Sequence, residues 1–462
     1  MKKYLTFIIA CLAVCLLPFA GMTVHPTTMS TENKRMSNFP SLKAEAGGWN
    51  LKFFQELEEY FDEHFAFRNE LVCLDAKIQG FVFRVSNVDS VIYGKDGWLY
   101  YSSTLGDYLG HSKMEGRQIY NLAHNLSLAQ QYVEGQGADF VLAVPPNKNT
   151  LYGNNMPYYD SYVVNPTHNI ELLMPKLREL GVPYADLLGM FQEEDEVLYL
   201  KRDSHWNMKG AVKAYNCIMD VLGYMHEDYE DVSVTRAKDR DGDLNRMLYT
   251  FYGDKELDYR YDITQKYTYT NDVDSVEDVW IGTEGGSGNG TLLMFRDSFG
   301  NTLIPLVANQ FKEAWFTKES PYGLESLMRQ YHPDTVVFEK VERNLTEFTK
   351  IPPIIPAPKA APPQTAGFVE SSTTVSIEPL EYDSNYYKIS GNVDGALVGE
   401  ETDIIIQVND AYYKAYHTGS NGYVVYMKKE DMPSCPVEIE VLTEDQGIYK
   451  VIQTKKIEKL LS

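Results

Sequence analysis

Basic residues are scarce in this 462-residue chain: 42 Lys and Arg stand against 65 Asp and Glu, a formal net charge of −23. No Lys/Arg-rich block offers the footprint that a phosphate backbone requires, which argues against nucleic acid as a partner. Cysteine is also rare. Of the five, Cys11 and Cys15 lie in an apolar leader, leaving Cys73, Cys217 and Cys435 far apart. An odd number with no CxxC pair gives neither a disulfide framework nor a zinc site. Each reads as a small apolar filler. Long hydrophobic runs are missing too. The one long uncharged run, Leu5 to Ala20 behind Lys2 and Lys3, is about 16 residues, right for a signal-peptide core and short for a membrane span. Pro18 and Ala20 make a poor cleavage pair, and Leu12-Ala13-Val14-Cys15 is a weak lipoprotein-like site. Residues 1–22 are therefore expected to be a signal peptide or a signal anchor. The chain is expected outside the cytoplasm, secreted or anchored at the cell surface.

What is present suggests two or three folding units, at about 150 residues each. Residues 23–90 read as a tether, His25 to Arg35, and a helical region packing on the next domain. Within it, Phe53 to Phe67 carries apolar residues at helical spacing. Val91 to Tyr101 reads as a β-hairpin turning at Lys95-Asp96-Gly97. From there to residue 350 short apolar strands alternate with helices. Phe140–Val144, Val182–Leu188, Glu196–Leu200, Thr291–Phe295, Ala314–Phe316 and Thr335–Phe338 are the expected strands. Gly116–Gly135, Asn169–Leu180, Met208–Tyr224 and Phe299–Phe311 are the expected helices. Such alternation predicts an α/β fold on a parallel sheet, with the site beyond the strands' carboxyl ends. Residues 351–366 hold six prolines and read as a stiff, extended spacer. Beyond it, residues 367–462 are β-type runs separated by turns, the pattern of a small accessory β-sandwich of Ig-like kind.

Two short motifs carry chemistry. In Lys201-Arg202-Asp203-Ser204-His205-Trp206-Asn207, extended backbone puts residues i and i+2 on one side, so Asp203 can orient the His205 imidazole as a base. Asn207 is placed to cap the helix that follows. Asp62-Glu63-His64 has the same spacing in helical register, where i and i+2 diverge. His64 therefore reads as a core or interface histidine. In Phe295-Arg296-Asp297-Ser298-Phe299-Gly300-Asn301, a strand ends, a serine follows and a helix begins. Ser298 would then lie where backbone N–H groups can receive an oxyanion, although a plain helix cap fits the same pattern. If both motifs follow sheet strands, Asp203, His205 and Ser298 assemble as a catalytic triad.

Asp203-Ser204-His205-Trp206 resembles the Asp-x-His-Trp element of the DHHW proteins and the alginate O-acetyltransferases, exported relatives of the SGNH hydrolases. Tyr60 to Arg68, Gly94 to Tyr100, Val144-Pro145-Pro146-Asn147-Lys148 and Arg296-Asp297-Ser298-Phe299 resemble the same family in the same order. The likeness spans roughly residues 38 to 347. It implies a flavodoxin-like, three-layer parallel sheet over residues 91–350 and acyl transfer through acetyl-Ser298, with no cofactor and no metal. It further implies a polysaccharide or cell-wall glycan acceptor and a membrane-bound O-acyltransferase as acetyl donor. Position 204 is Ser, where the DHHW proteins have His. Arg296 stands where SGNH hydrolases place Gly, and no Gly-x-Asn-Asp element is present. Asn147, Lys148, Arg296, Trp206 and Asn301 are the substrate and oxyanion candidates, Trp206 either as a sugar-stacking face or as core. Lys148, Lys201, Arg202 and Arg296 form a local basic set. A carbohydrate esterase with the same triad, or a surface carbohydrate-binding scaffold with a degenerate site, remains open at this point.

Two further motifs read as structural. Gly282 to Gly290 lacks the Lys-Ser/Thr of a P-loop and is expected to be a mobile loop. Asp239 to Asp243 looks like a calcium loop, but Leu244 stands where such a loop needs Gly.

Overall fold

The computed structural model describes residues 2–22, 37–44, 47–249, 253–288 and 290–460. The chain divides into two compact units. The smaller comprises Met1–Ser102, Lys201–Ser204 and Lys238–Leu257; the larger comprises Ser103–Leu200, His205–Ala237 and Asp258–Ser462.

In the smaller unit the leader is a helix, Lys2–Gly21. Among the described residues no helix is long and apolar enough to cross a membrane. The tether expected at His25 to Arg35 lies outside the described residues. The amphipathic helix runs Phe53–His64 and stops where Phe65 turns extended. Val91–Tyr93 and Leu99–Tyr101 pair antiparallel. Gly97 takes a φ of 78° in their turn, a left-handed conformation that costs glycine little.

Seven strands build the main sheet of the larger unit: β1 (Asp139–Ala143), β2 (Tyr184–Ala185), β3 (Thr268–Tyr269), β4 (Trp280–Glu284), β5 (Thr291–Phe295), β6 (Glu313–Thr317) and β7 (Thr335–Glu339). Their order is β2-β1-β7-β5-β6-β4-β3. From β2 to β6 the pairing is parallel; β4 and β3 add antiparallel. The sheet is thus mixed rather than wholly parallel. Gly282, expected in a mobile loop, lies inside β4, where a Cβ would meet the Trp315 ring at 2.5 Å.

Strand alternation sorts the core into two layers. Phe140, Leu142, Leu293, Phe295, Val336 and Phe338 face one side, under helices α1 (Gly116–Gly135), α2 (Asn169–Glu179) and α5 (Leu324–Tyr331). Val141, Ala143, Leu292, Met294 and Val337 face the other, under α3 (Met208–Val221) and α4 (Ile304–Gln310). The strand expected at Glu196–Leu200 is not in the sheet. Only a single bridge, Tyr199 to Trp206, forms there, because Leu198 N–H donates to Tyr152 Oη and Val197 C=O accepts from the Asn207 amide.

The C-terminal region is strand-rich. Its strands are β8 (Ala366–Phe368), β9 (Ser376–Pro379), β10 (Tyr386–Asn392), β11 (Asp403–Val408), β12 (Ala411–Lys414), β13 (Tyr416–Thr418), β14 (Gly422–Lys428), β15 (Val437–Asp445) and β16 (Ile448–Ile457). They form two sheets, β8-β16-β15-β11-β12 and β9-β10-β14-β13. Ile389, Val425, Ile404, Ile406, Ile439 and Val441 fill the space between them. The four-stranded sheet is buried on its second face as well. Tyr386, Tyr416, Val424 and Tyr426 join the α1 side of the main core. Pro352 to Ile355 are buried with them. The expected stiff spacer is therefore packed, at least at its start, because two isoleucines among the prolines supply apolar surface to bury.

Candidate active site

The nucleophile candidate is set by the end of β5. After Phe295 the chain leaves the sheet, and Ser298 precedes a 3₁₀ turn, Phe299–Thr302. Asp297 clamps this turn. Its Oδ1 accepts the Phe299 N–H at 2.9 Å and its Oδ2 accepts the Val341 N–H at 2.9 Å. Val341 follows β7, the parallel neighbour of β5, so the clamp ties two strand ends together. The N–H of Ser298 makes no hydrogen bond among the described residues.

The histidine comes from a different kind of element. Around the Tyr199–Trp206 bridge, Leu200 N–H donates to His205 C=O at 3.2 Å and Asn207 N–H to Leu198 C=O at 2.8 Å. Asn207 Oδ1 then accepts from Gly210 N–H, capping α3. A closed loop on a helix start thereby fixes His205. Its Nε2 lies 2.7 Å from Ser298 Oγ, and its ring packs on Phe299 with centroids 4.7 Å apart. A hydroxyl and an imidazole at this distance can exchange the serine proton.

Asp203 belongs to the smaller unit and is 1% exposed. Arg240 donates to its Oδ2 from Nε at 3.3 Å and Nη2 at 3.2 Å. Asp243 accepts from Ser204 through both its backbone N–H, at 2.7 Å, and its hydroxyl. The apparent calcium loop thus organises the Asp-Ser segment, a role its spacing did not reveal.

The remaining candidates separate. Trp206 is fully buried, donates from Nε1 to Thr302 Oγ1 at 2.6 Å and packs edge-on to Phe299 at 5.1 Å. It is core and offers no sugar-stacking face. Arg296 is also fully buried. Its guanidinium donates to Asn301 Oδ1, to Val276 C=O at 3.0 Å and to Asp278 C=O at 2.8 Å. Burial lowers its pKa while neighbouring carboxylates oppose that. It is a brace between the nucleophile turn and the 276–278 loop, and does not extend to a substrate. Asn301 belongs to the same brace, its other contact being Glu277. Asn147 is buried; its amide donates to Asp107 Oδ2 at 3.1 Å and its oxygen accepts from Arg343 at 3.4 Å. The Asp107 contact uses one of the two N–H groups of that amide. Lys148 is 4% exposed at the start of the helix Lys148–Tyr152, so the expected basic set is not a surface patch.

Three residues at this edge escaped the sequence reading. Glu277 is pushed up by burial. Bonds from Lys318 and Asn301 and the nearness of His205 outweigh this and hold its carboxyl below the usual range. The Arg343 guanidinium lies 5.8 Å from the Phe299 ring centroid. Glu339, buried at the end of β7, accepts the Asp297 N–H at 2.8 Å. None sits in a motif; each arrives through strand order.

Among the described residues of the larger unit, one group has metal-ligand character. Atoms of His124, Asp403 and His417 lie within 4.8 Å of one another. The two imidazoles are stacked, with centroids 4.1 Å apart and planes 9° off parallel. In-plane lone pairs on parallel rings do not converge on one ion, and His124 Nδ1 and His417 Nε2 are used by Asp403 and the Ile404 N–H.

Residues 91–283 match the family described as the SGNH hydrolase-like domain of acetyltransferase AlgX. The chain resembles that family over this stretch. The match bears out the family reading taken from the motifs, and it stops short of Ser298. Bacillus cereus PatB1 is similar in structure, at 18% identity over 55% of this chain and 96% of that one, with a TM-score of 0.44. A DHHW family protein from Eubacterium siraeum shows 14% identity over 49% and 85%, TM-score 0.39. The O-acetyltransferase domain of Pseudomonas putida AlgJ shows 16% over 55% and 92%, TM-score 0.37. No curated protein matches.

Proposed function

We propose that this chain is an extracytoplasmic O-acetyltransferase that modifies a cell-surface or secreted polysaccharide through an acetyl-Ser298 intermediate. The observation that carries the reading is the 2.7 Å contact between Ser298 Oγ and His205 Nε2, with His205 inside the stretch, residues 91–283, that matches the SGNH hydrolase-like domain of acetyltransferase AlgX. His205 takes the hydroxyl proton as Ser298 attacks the acetyl carbonyl of the donor. The Ser298 N–H stabilises the tetrahedral oxyanion, a contribution on the order of 3 kcal/mol per donor. The intermediate collapses, the proton passes from His205 to the leaving group, and acetyl-Ser298 remains. A sugar hydroxyl then loses its proton to His205, attacks the acetyl-serine and releases Ser298 with its proton restored. The family resemblance of Asp203-Ser204-His205-Trp206 assigns Asp203 the role of orienting the imidazole. The apolar leader Lys2–Gly21 is consistent with export, and a membrane-bound acyltransferase would deliver the acetyl group from the cytoplasmic side.

The test offers the full chain an activated acetyl ester with neutral and acidic oligosaccharides. Acetylated oligosaccharide made by the wild type and absent with Ser298→Ala supports transfer. Release of free acetate alone, whatever the sugar concentration, would replace the transferase reading with an esterase.

A further inference from the structure

The clamp that shapes the nucleophile turn contains two carboxyl groups in contact. Asp297 uses both of its oxygens as acceptors, for the Phe299 and Val341 N–H groups. Glu339, 1% exposed, uses Oε2 to accept the Asp297 N–H at 2.8 Å, and its carboxyl faces that of Asp297. Its Oε1 is buried and meets no donor among the described residues. An ionised carboxylate in that position would leave a charged acceptor unsatisfied beside a second carboxylate, a costly arrangement. Two cations flank it: Arg296, whose charge acts on Glu339 and whose Nε meets no acceptor among the described residues, and Lys340. Arg296 is bonded to Asn301, Val276 and Asp278, and Lys340, next in the chain, pairs with Glu347 at 2.9 Å. A Cβ at position 300 would lie 2.9 Å from Glu339 Oε2, so Gly300 is what lets the turn close on this group.

We propose that Glu339 is a neutral carboxylic acid that positions the nucleophile: it accepts the Asp297 N–H and gives its own proton to the Asp297 carboxylate, locking the turn that presents Ser298. Burial, and next the charge of Asp297, raise its pKa well above the ordinary range. For such an acid the share of folding stability is whole below the ordinary carboxyl range and is lost as pH rises from there through the raised value. Loss of the proton sets two carboxylates against each other, loosens the turn and gives an alkaline limb in kcat. Glu339→Gln keeps an acceptor and a donor but cannot ionise.

The kinetic half of the test rests on the acyl-transfer reading; the spectroscopic half does not. In the full chain, turnover of an activated acetyl ester is followed across pH for wild type, Glu339→Gln and Glu339→Ala. Infrared difference spectra compare wild type with Glu339→Gln. A protonated-carboxyl C=O band present only in the wild type is expected. Alongside it, Glu339→Gln should stay within about threefold of wild type at neutral pH with its alkaline limb removed, while Glu339→Ala loses about a hundredfold. Absence of that band overturns the proposal, even if no chain turns over ester. A folded Glu339→Gln as impaired as Glu339→Ala overturns it too.

Discussion

Two segments share the pattern Asp-x-His and differ in backbone. In Asp62-Glu63-His64 the histidine closes the helix Phe53–His64. Its Nδ1 bonds the Tyr60 carbonyl at 2.9 Å and its ring stacks on Tyr60 at 4.1 Å. In Asp203-Ser204-His205 the histidine sits on a bridge-closed loop, 2.7 Å from a serine. The same residue types at the same spacing give a helix-end imidazole in one place and a base aimed at a nucleophile in the other. Backbone period, and what the far side of the ring meets, decides the chemistry.

The widest expected gap between the segments is in turnover. Ser298→Ala or His205→Ala should lower activated-ester turnover by about 10³-fold or more. His64→Ala should leave it within about twofold, as steady-state rates will show. The next contrast is in stability. Trp206, core beside His205, should cost about 3–5 kcal/mol when cut to Ala, against under about 1 kcal/mol for His64→Ala, by denaturant unfolding.

Two smaller effects contrast buried titratable groups with these segments. Burial pushes Glu342 up to about 7 from an ordinary 4.5, although bonds from Asn147 and Thr150 oppose it. Its stabilising share is whole below the ordinary value and is lost as pH rises through about 7. Glu342→Gln should therefore raise the melting temperature above pH 7, by the equivalent of about 1–3 kcal/mol, and change little at pH 5. His417 is the opposite case, its pKa depressed by burial. Its share is present above the ordinary imidazole range and is lost as pH falls below it. His417→Gln, which preserves an acceptor for the Ile404 N–H, should soften acid unfolding by on the order of 1 kcal/mol.

Most of the α/β alternation was legible because apolar runs of five residues bounded by helices have few other solutions. Thr291–Phe295, Thr335–Glu339 and α1 stand where the pattern put them. Glu196–Leu200 looked like a strand by the same rule, yet its backbone partners are the Tyr152 hydroxyl and the Asn207 amide, which no local pattern discloses. The serine and histidine could be read because each sits at a break in an element. Arg296 could not be placed. A lone arginine before Asp-Ser fits a substrate contact as well as a brace, and only the 276–278 carbonyls decide between them. Docking of the C-terminal strands was hidden for a similar reason. Tyr386, Tyr416 and Tyr426 alternate as any half-exposed strand would, and the surface they bury lies far away in sequence.

The central claim is that Ser298 accepts an acyl group with His205 as its base. Brief exposure of the full chain to an activated acetyl ester, followed by intact-protein mass spectrometry, tests it most directly. One added acetyl, mapped to Ser298 and lost in both Ser298→Ala and His205→Ala, is the predicted result. Wild type and Ser298→Ala behaving alike, with no adduct and no turnover, would contradict it.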